Sequence, residues 1–435
     1  MERVLYHKLC SWKDAANRKP LLLDGARQVG KTWLLQFFGR HAFENTVYLN
    51  CDGDDQIRNI FAGNYDIGRI LTEIGAVTNS RIVEGKTLLI LDEIQEVPRA
   101  LTALKYFQEQ RPALHVAAAG SLLGIAIHEN VSFPVGKTDL MRLYPLSFPE
   151  FVHAVAGEKL YDILASGSPK EQEPLREKLN ELLRQYYFTG GMPEAVSAFT
   201  EKAHPQEIRT IQNAILYAYE KDISKHVPSQ EAERVHRVWN SIPSQLAKEN
   251  KKFIFGALRK GARAAVYESA IGWLRDAGLV YRIPRVRKAQ LPLKFYEDEA
   301  FKLFMLDCGL MGALSETPSK NMLIGVSVFE EYRGAFTEQY VLQQLISAGG
   351  WHIYYYSAEN GKQELDFLLQ REDVVIPVEV KAAENLRAKS LRFFVADHPR
   401  QKGIRLSLSG YREQDWMINL PLYDAWRSDL YAGPG

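Results

Sequence analysis

Gly25-Ala26-Arg27-Gln28-Val29-Gly30-Lys31-Thr32 stands between the apolar run Leu21-Leu22-Leu23 and the helix-forming run Trp33-Leu34-Leu35-Gln36-Phe37-Phe38. The eight residues fit the spacing G-x-x-x-x-G-K followed by Ser or Thr. Glycines at the two ends permit the dihedrals that turn backbone N–H groups toward phosphate oxygens. Lys31 has the reach to meet β- and γ-phosphates, and the Thr32 hydroxyl suits Mg²⁺. A helix opening at Trp33 turns its positive end to the same anion. Strand, glycine loop and helix in that order predict an α/β core in which residues 25–33 cradle a nucleoside triphosphate.

A second element supports this reading. Thr87-Leu88-Leu89-Ile90-Leu91 is a buried-strand pattern that ends in Asp92-Glu93. Two carboxylates at the end of an apolar strand are costly unless a cation meets them. Asp92 is expected to hold Mg²⁺ and Glu93 to polarise the attacking water. A third run, Leu114–Ala119, ends in Gly120-Ser121, where Ser121 is the candidate sensor of the γ-phosphate. With Pro20–Leu23, Thr46–Asn50 and Leu140–Leu143 there are five strand candidates separated by helical stretches, the pattern of a mostly parallel sheet.

The rest of the chain changes character. Residues 152–228 carry apolar residues at three- and four-residue spacing, interrupted by Thr189-Gly190-Gly191, which predicts a helical segment. Residues 229–312 read as helices followed by a hairpin, with strands at Leu279–Val286 and Leu291–Phe295, the order of a winged helix-turn-helix. From Lys248 to Lys288 there are eleven Lys or Arg against Glu249, Glu268 and Asp276, although the whole chain carries only +1. Such a module can bind DNA phosphates, with the helix led by Arg263 in a groove and Arg285, Arg287 and Lys288 on the wing. Protein contact, or packing with solvated side chains, is the alternative.

Residues 313–435 open with a helix over Phe329–Ser347, followed by strand candidates Trp351–Ser357, Gln363–Leu369 and Val374–Val380. Asp366 and the pair Glu379 and Lys381 interrupt otherwise apolar strands, and alternation places Glu379 and Lys381 on one face. Two carboxylates on adjacent strands can hold Mg²⁺ beside a lysine, with Glu338 as a further ligand. The same groups could instead pair with lysines on a solvated face.

Several motifs resemble one family. GARQVGKT, LLILDEIQ, the strand ending in AGSLLG, LYPLSFPEF at 143–151, FTGGMPEAV at 188–196 and YEKDI at 219–223 look like a prokaryotic AAA+-type ATPase family. Its members carry a C-terminal domain of uncharacterised function, and that domain resembles the PD-(D/E)XK nucleases. The resemblance implies a five-stranded αβα P-loop NTPase core (1–151) with a helical lid (152–228). A winged helix-turn-helix (229–312) and a PD-(D/E)XK-like α/β domain (313–435) follow. It also implies ATP and Mg²⁺ as cofactors and a homo-oligomer in which a neighbour's arginine completes the site. Where Gly-Arg is expected before LYPLSF the chain reads Gly136-Lys137, so Lys137 and Arg142 are the candidates for that role. Lysine lacks the planar fork of arginine.

Composition narrows the class further. Hydrophobic residues make up 46% and charged residues 25% of 435, ordinary for a globular chain and too long for one core. Cys10, Cys51 and Cys308 are far apart and form no zinc or disulfide pattern. No apolar stretch reaches the roughly 20 residues that span a bilayer, and the N-terminus lacks the features of a signal peptide. The expectation is a cytoplasmic ATPase with no membrane partner, whose nucleotide state controls a DNA-contacting, nuclease-like half. The alternative is a nucleotide-dependent switch or scaffold that binds protein or nucleic acid without cutting it.

Overall fold

Leu21, Leu22 and Leu23 have no exposed surface, as expected of a strand covered on both faces. The computed structural model describes residues 1–53, 55–121, 136–248, 251–324, 330–358, 363–382, 388–398 and 402–431. Glu249, counted above among the acids of the basic segment, lies outside them.

The chain divides into two units. The first comprises Met1–Tyr144 with Asp276–Leu279, the second Pro145–Arg275 with Val280–Gly435. In the first unit β1 (Leu21–Asp24), β2 (Asn45–Asn50), β3 (Thr87–Asp92), β4 (His115–Gly120) and β5 (Asp139–Arg142) form one sheet. Its order is β2-β3-β4-β1-β5 and every pairing is parallel. All five expected strands are present, each within a residue or two of its expected ends. The helices Asp55–Ala62, Ile67–Thr78 and Pro98–Gln110 contribute buried residues to a core shared with Val47, Leu89 and Val116. The order of strands matters for function: β4 lies between β1 and β3, so the loops after all three open on the same sheet edge.

The second unit opens with the helix Phe148–Ala156, fixed at its start by a reciprocal capping box between Ser147 and Glu150. Long helices follow at Arg176–Thr189, Pro205–His226 and Ser229–Leu246, and another at Ala264–Asp276. Its sheet has the order β12-β13-β11-β10-β9-β8-β6-β7. These strands are β6 (Val280–Val286), β7 (Glu297–Met305), β8 (His352–Ser357), β9 (Glu364–Arg371), β10 (Val374–Val380), β11 (Gly403–Ser407), β12 (Arg412–Glu413) and β13 (Met417–Pro421). Parallel and antiparallel pairs are mixed: β9 runs antiparallel to β8 and β10, whereas β10, β11 and β13 are parallel.

Two details depart from the sequence reading. The strand expected at Leu291–Phe295 is instead a 3₁₀ turn at Leu293–Tyr296, and the strand begins at Glu297. Pro292 offers no N–H to a ladder, whereas the carboxylates of Glu297 and Asp298 are paired with Lys294, Arg285 and Arg287. The hairpin of β6 and β7 also continues, through parallel pairing of β6 with β8, into the same sheet as the terminal strands. The divisions expected at 151/152 and 312/313 fall inside the helices Phe148–Ala156 and Cys308–Leu314. Among the described residues no helix is long and apolar enough to cross a membrane.

Candidate functional site

The glycine loop joins β1 to the helix Lys31–Ala42. Three of its residues, Gly25 (φ 154°), Gln28 (φ 66°) and Gly30 (φ 93°), have positive φ. At Gly25 the requirement is steric as well, because a Cβ there would lie 2.4 Å from the Leu143 carbonyl oxygen. Lys31 is 5% exposed. Its Nζ donates to the carbonyls of Gly25 (2.8 Å) and Ala26 (2.9 Å) and to Ser121 Oγ (2.9 Å). Burial pulls the Lys31 ammonium down to about 8, against the opposing pull of Glu93, Asp24 and Asp92.

The ends of β3 and β4 meet this loop. Thr32 Oγ1 donates to Asp92 Oδ2 at 2.6 Å, and the Tyr48 hydroxyl donates to the same oxygen at 2.9 Å. Asp92 Oδ1 accepts the Glu93 N–H at 3.1 Å. Glu93 itself has a left-handed backbone (φ 48°, ψ 44°), uncommon for a residue with a Cβ and frequent at functional sites. Its carboxylate accepts from Gln95 Nε2 at 2.6 Å and from Ser121 Oγ at 3.3 Å. Lys31, Ser121 and Glu93 therefore form a connected polar chain, and Thr32 and Asp92 form a second. Cys51, next to β2, is pushed up to about 12 by burial and then by Asp92 and Glu93, so its thiol stays protonated.

The remaining candidates of this unit stand as follows. Arg142, opposite Asp24 in the register of β1 and β5, donates from Nε to Asp24 Oδ2 at 2.7 Å. Lys137 pairs with Glu109 at 3.2 Å. Trp33 is 41% exposed and stacks on Phe37 with ring centres 5.0 Å apart. Sequence reasoning passed over Tyr48 and Asp24. Each becomes a partner only once strand order is known, and a tyrosine in TVYLN carries no local sign of it.

A second group of charged residues lies in the other unit. Glu338, on the helix Glu330–Ala348, has a side chain 4% exposed and is paired with Lys251 on one oxygen. Lys302 Nζ lies 3.5 Å from its other oxygen and 3.4 Å from Glu364. Asp366 Oδ2 accepts the Val380 N–H at 2.7 Å. Burial and then Glu338 push the Asp366 carboxyl up. For Glu338, burial pushes upward but Lys251 and Lys302 outweigh it and hold the carboxyl below the usual range. Glu379 pairs instead with Lys381 at 2.6 Å, on the common face that alternation required. Among the described residues no three His, Cys, Asp or Glu side chains converge on a metal position, so the expected set Glu338, Asp366 and Glu379 is not assembled as one cluster. Lys251 and Lys302 hold Glu338, while Lys381 holds Glu379. Lys302 sits in the apolar strand run AFKLFM, a lone charge that could have been noticed.

The basic segment is also partly neutralised from within. Arg285 holds Asp298 with contacts of 3.0 and 2.6 Å, Arg287 reaches the same carboxylate at 2.5 Å, and Arg282 pairs with Glu268 at 2.8 Å. Asp298 lies just past the window in which the excess of positive charge was counted.

Residues 17–152 match the AAA domain family. The first unit therefore carries an AAA-type P-loop ATPase domain. Residues 180–321 match a domain of unknown function (DUF8612), and residues 333–423 match another (DUF4143). Comparison with curated proteins finds no match. Among solved structures, the chain is similar to the Thermotoga maritima RuvB Holliday junction branch migration motor. Identity is 15%, covering 65% of this chain and 90% of that one, with a TM-score of 0.29. A point variant of the same motor gives 15% identity, 64% and 89% coverage and a TM-score of 0.26. The AAA-type assignment rests on the domain match together with the loop and strand-end geometry.

Proposed function

We propose that the chain is a Mg²⁺-dependent ATPase whose nucleotide state governs a nucleic-acid-contacting, nuclease-like C-terminal half. The observation that carries the first part is the convergence of Lys31, Thr32, Asp92, Glu93 and Ser121 at one sheet edge. A hydroxyl and a carboxylate 2.6 Å apart are hard oxygen donors of the kind Mg²⁺ takes, so the residues fit the metal. Thr32 and Asp92 would hold Mg²⁺, whose charge offsets that of the phosphates. Lys31 would exchange the loop carbonyls for phosphate oxygens, and Glu93, released from Ser121, would accept a proton from the attacking water. Ser121 bridges the two and would report on the terminal phosphate. Arg142 or Lys137 of a neighbouring copy would stabilise the transition state in an oligomer.

The experiment is Glu93→Gln. Turnover of ATP should fall by roughly 10²–10⁴, while nucleotide still raises the melting temperature. Turnover that survives the change would remove Glu93 from the role of base.

For the C-terminal half, the alternative of a switch or scaffold that binds protein or nucleic acid without cutting is favoured by one observation. Lys251 and Lys302 already neutralise Glu338. Incubating linear and supercoiled DNA with Mg²⁺ or Mn²⁺ decides between the two, with Asp366→Ala as the control for a contaminating nuclease.

A further inference from the structure

We propose that Lys251 is a displaceable internal cation that closes the Glu338 and Asp366 carboxylates to divalent metal. The inference rests on reading those two carboxylates as a metal-competent pair, and its test separates the two claims.

Four observations carry it. First, Lys251 reaches Glu338 from 87 residues away in sequence, and its backbone is left-handed (φ 49°), a conformation that lysine adopts rarely. Second, Gly334 stands one helical turn before Glu338 on the same helix. A Cβ at that glycine would meet the Lys251 ammonium in ordinary contact at 3.7 Å, so the ammonium lies against the helix one turn before the carboxylate it holds. Third, the two lysines differ in exposure: the Lys302 side chain is 1% exposed in mid-strand, whereas that of Lys251 is 15% exposed and lies outside regular structure. Only Lys251 has a path to solvent. Fourth, the buried Glu338 Oε2 takes no hydrogen bond from either lysine, with Lys302 3.5 Å away, and the carboxylate instead meets the neighbouring Asp366 carboxyl.

Charge completes the argument. With Lys251 withdrawn, the buried Glu338 carboxylate would face Lys302 alone, with Asp366 beside it. A divalent cation could then take the place of the ammonium among these oxygen donors. With Lys251 in place, a metal would have to compete with a tethered ammonium. Anything that draws the 251 segment away would open the site. The half would then be switched by displacement of a side chain, with no change in the carboxylates.

The test is Mn²⁺ binding to the full chain without nucleotide, followed by the electron paramagnetic resonance of free Mn²⁺. Lys251→Met should gain one site at least tenfold tighter than any that wild type shows, and Lys251→Met with Asp366→Asn should lose it. If wild type binds one Mn²⁺ that Asp366→Asn removes, with the affinity of Lys251→Met, the plug is refuted while the metal reading survives. If folded Lys251→Met binds none, both are refuted. Should Lys251→Met fail to fold, acetylation of Lys251 in wild type, read by mass spectrometry, replaces it. Mn²⁺ should raise labelling several-fold, and labelling indifferent to Mn²⁺ overturns the proposal.

Discussion

Lys31 holds a charge that its surroundings both need and penalise. Burial brings its ammonium down to about 8, yet Glu93, Asp24 and Asp92 keep it charged near neutrality. Such a lysine is prepared for a polyanion: the loop carbonyls that now occupy it are neutral acceptors, and a phosphate would be a stronger one. Lys31→Ala should abolish the nucleotide-dependent thermal shift, which in wild type corresponds to about 2.7 kcal/mol at a ligand concentration a hundred times Kd. The pH dependence follows in sign. Below about 8 the free protein already carries the proton that phosphate binding favours. Above it that proton must be taken up on binding, so affinity should fall as pH rises from 7.5 toward 9.5. A titration series over that interval checks it, and a flat wild-type profile would mean that Lys31 stays protonated throughout.

At the scale of an element, the turn Thr189-Gly190-Gly191 shows why a motif can be readable while its purpose is not. The sequence marks a helix break there. The structure shows that Gly190 has φ 71° and that a Cβ on it would lie 2.1 Å from Asp307 Oδ1. Asp307 is wholly buried; burial pushes its carboxyl up, while N–H donors from Gly191 at 2.6 Å and Leu310 at 3.0 Å and the Gln343 amide at 3.0 Å oppose that. Gly190→Ala combines a left-handed backbone with overpacking against a polar centre. It should cost about 2–5 kcal/mol, visible as a lower urea midpoint. The hairpin of β6 and β7 teaches the complementary lesson. Arg285 and Arg287 looked like phosphate contacts because the acid they hold, Asp298, comes after the turn and not before it.

On the scale of the whole molecule, the question is whether one copy suffices. Arg142 pairs with Asp24 of its own chain, and Lys137 with Glu109. In the proposed oligomer these cations would serve the site of a neighbouring copy. Arg142→Ala should then lower turnover by as much as roughly 10³ or more with nucleotide binding intact. Mixing it with Glu93→Gln should restore part of the activity, since each variant supplies what the other lacks. No recovery in mixtures that sedimentation shows to be associated would place the stabilising group elsewhere.

The parallel core and its phosphate loop were legible in the residues because both are local. A glycine spacing specifies a turn, a run of leucines specifies a doubly covered strand, and a carboxylate pair at a strand end is conspicuous. Only Ser121 needed the further inference that β4 lies beside β1. The C-terminal cluster was half legible. Asp366, Glu338, Glu379 and Lys381 interrupt their elements visibly, but Lys251 and Lys302 reach Glu338 from 87 and 36 positions away. Pairing between distant residues depends on which strands become neighbours and which way a helix turns, and no short spacing encodes that. Local chemistry thus follows from composition along the chain, whereas the balance of charge inside a buried pocket is settled by folding, where burial strengthens every ion pair and exposes every missing one.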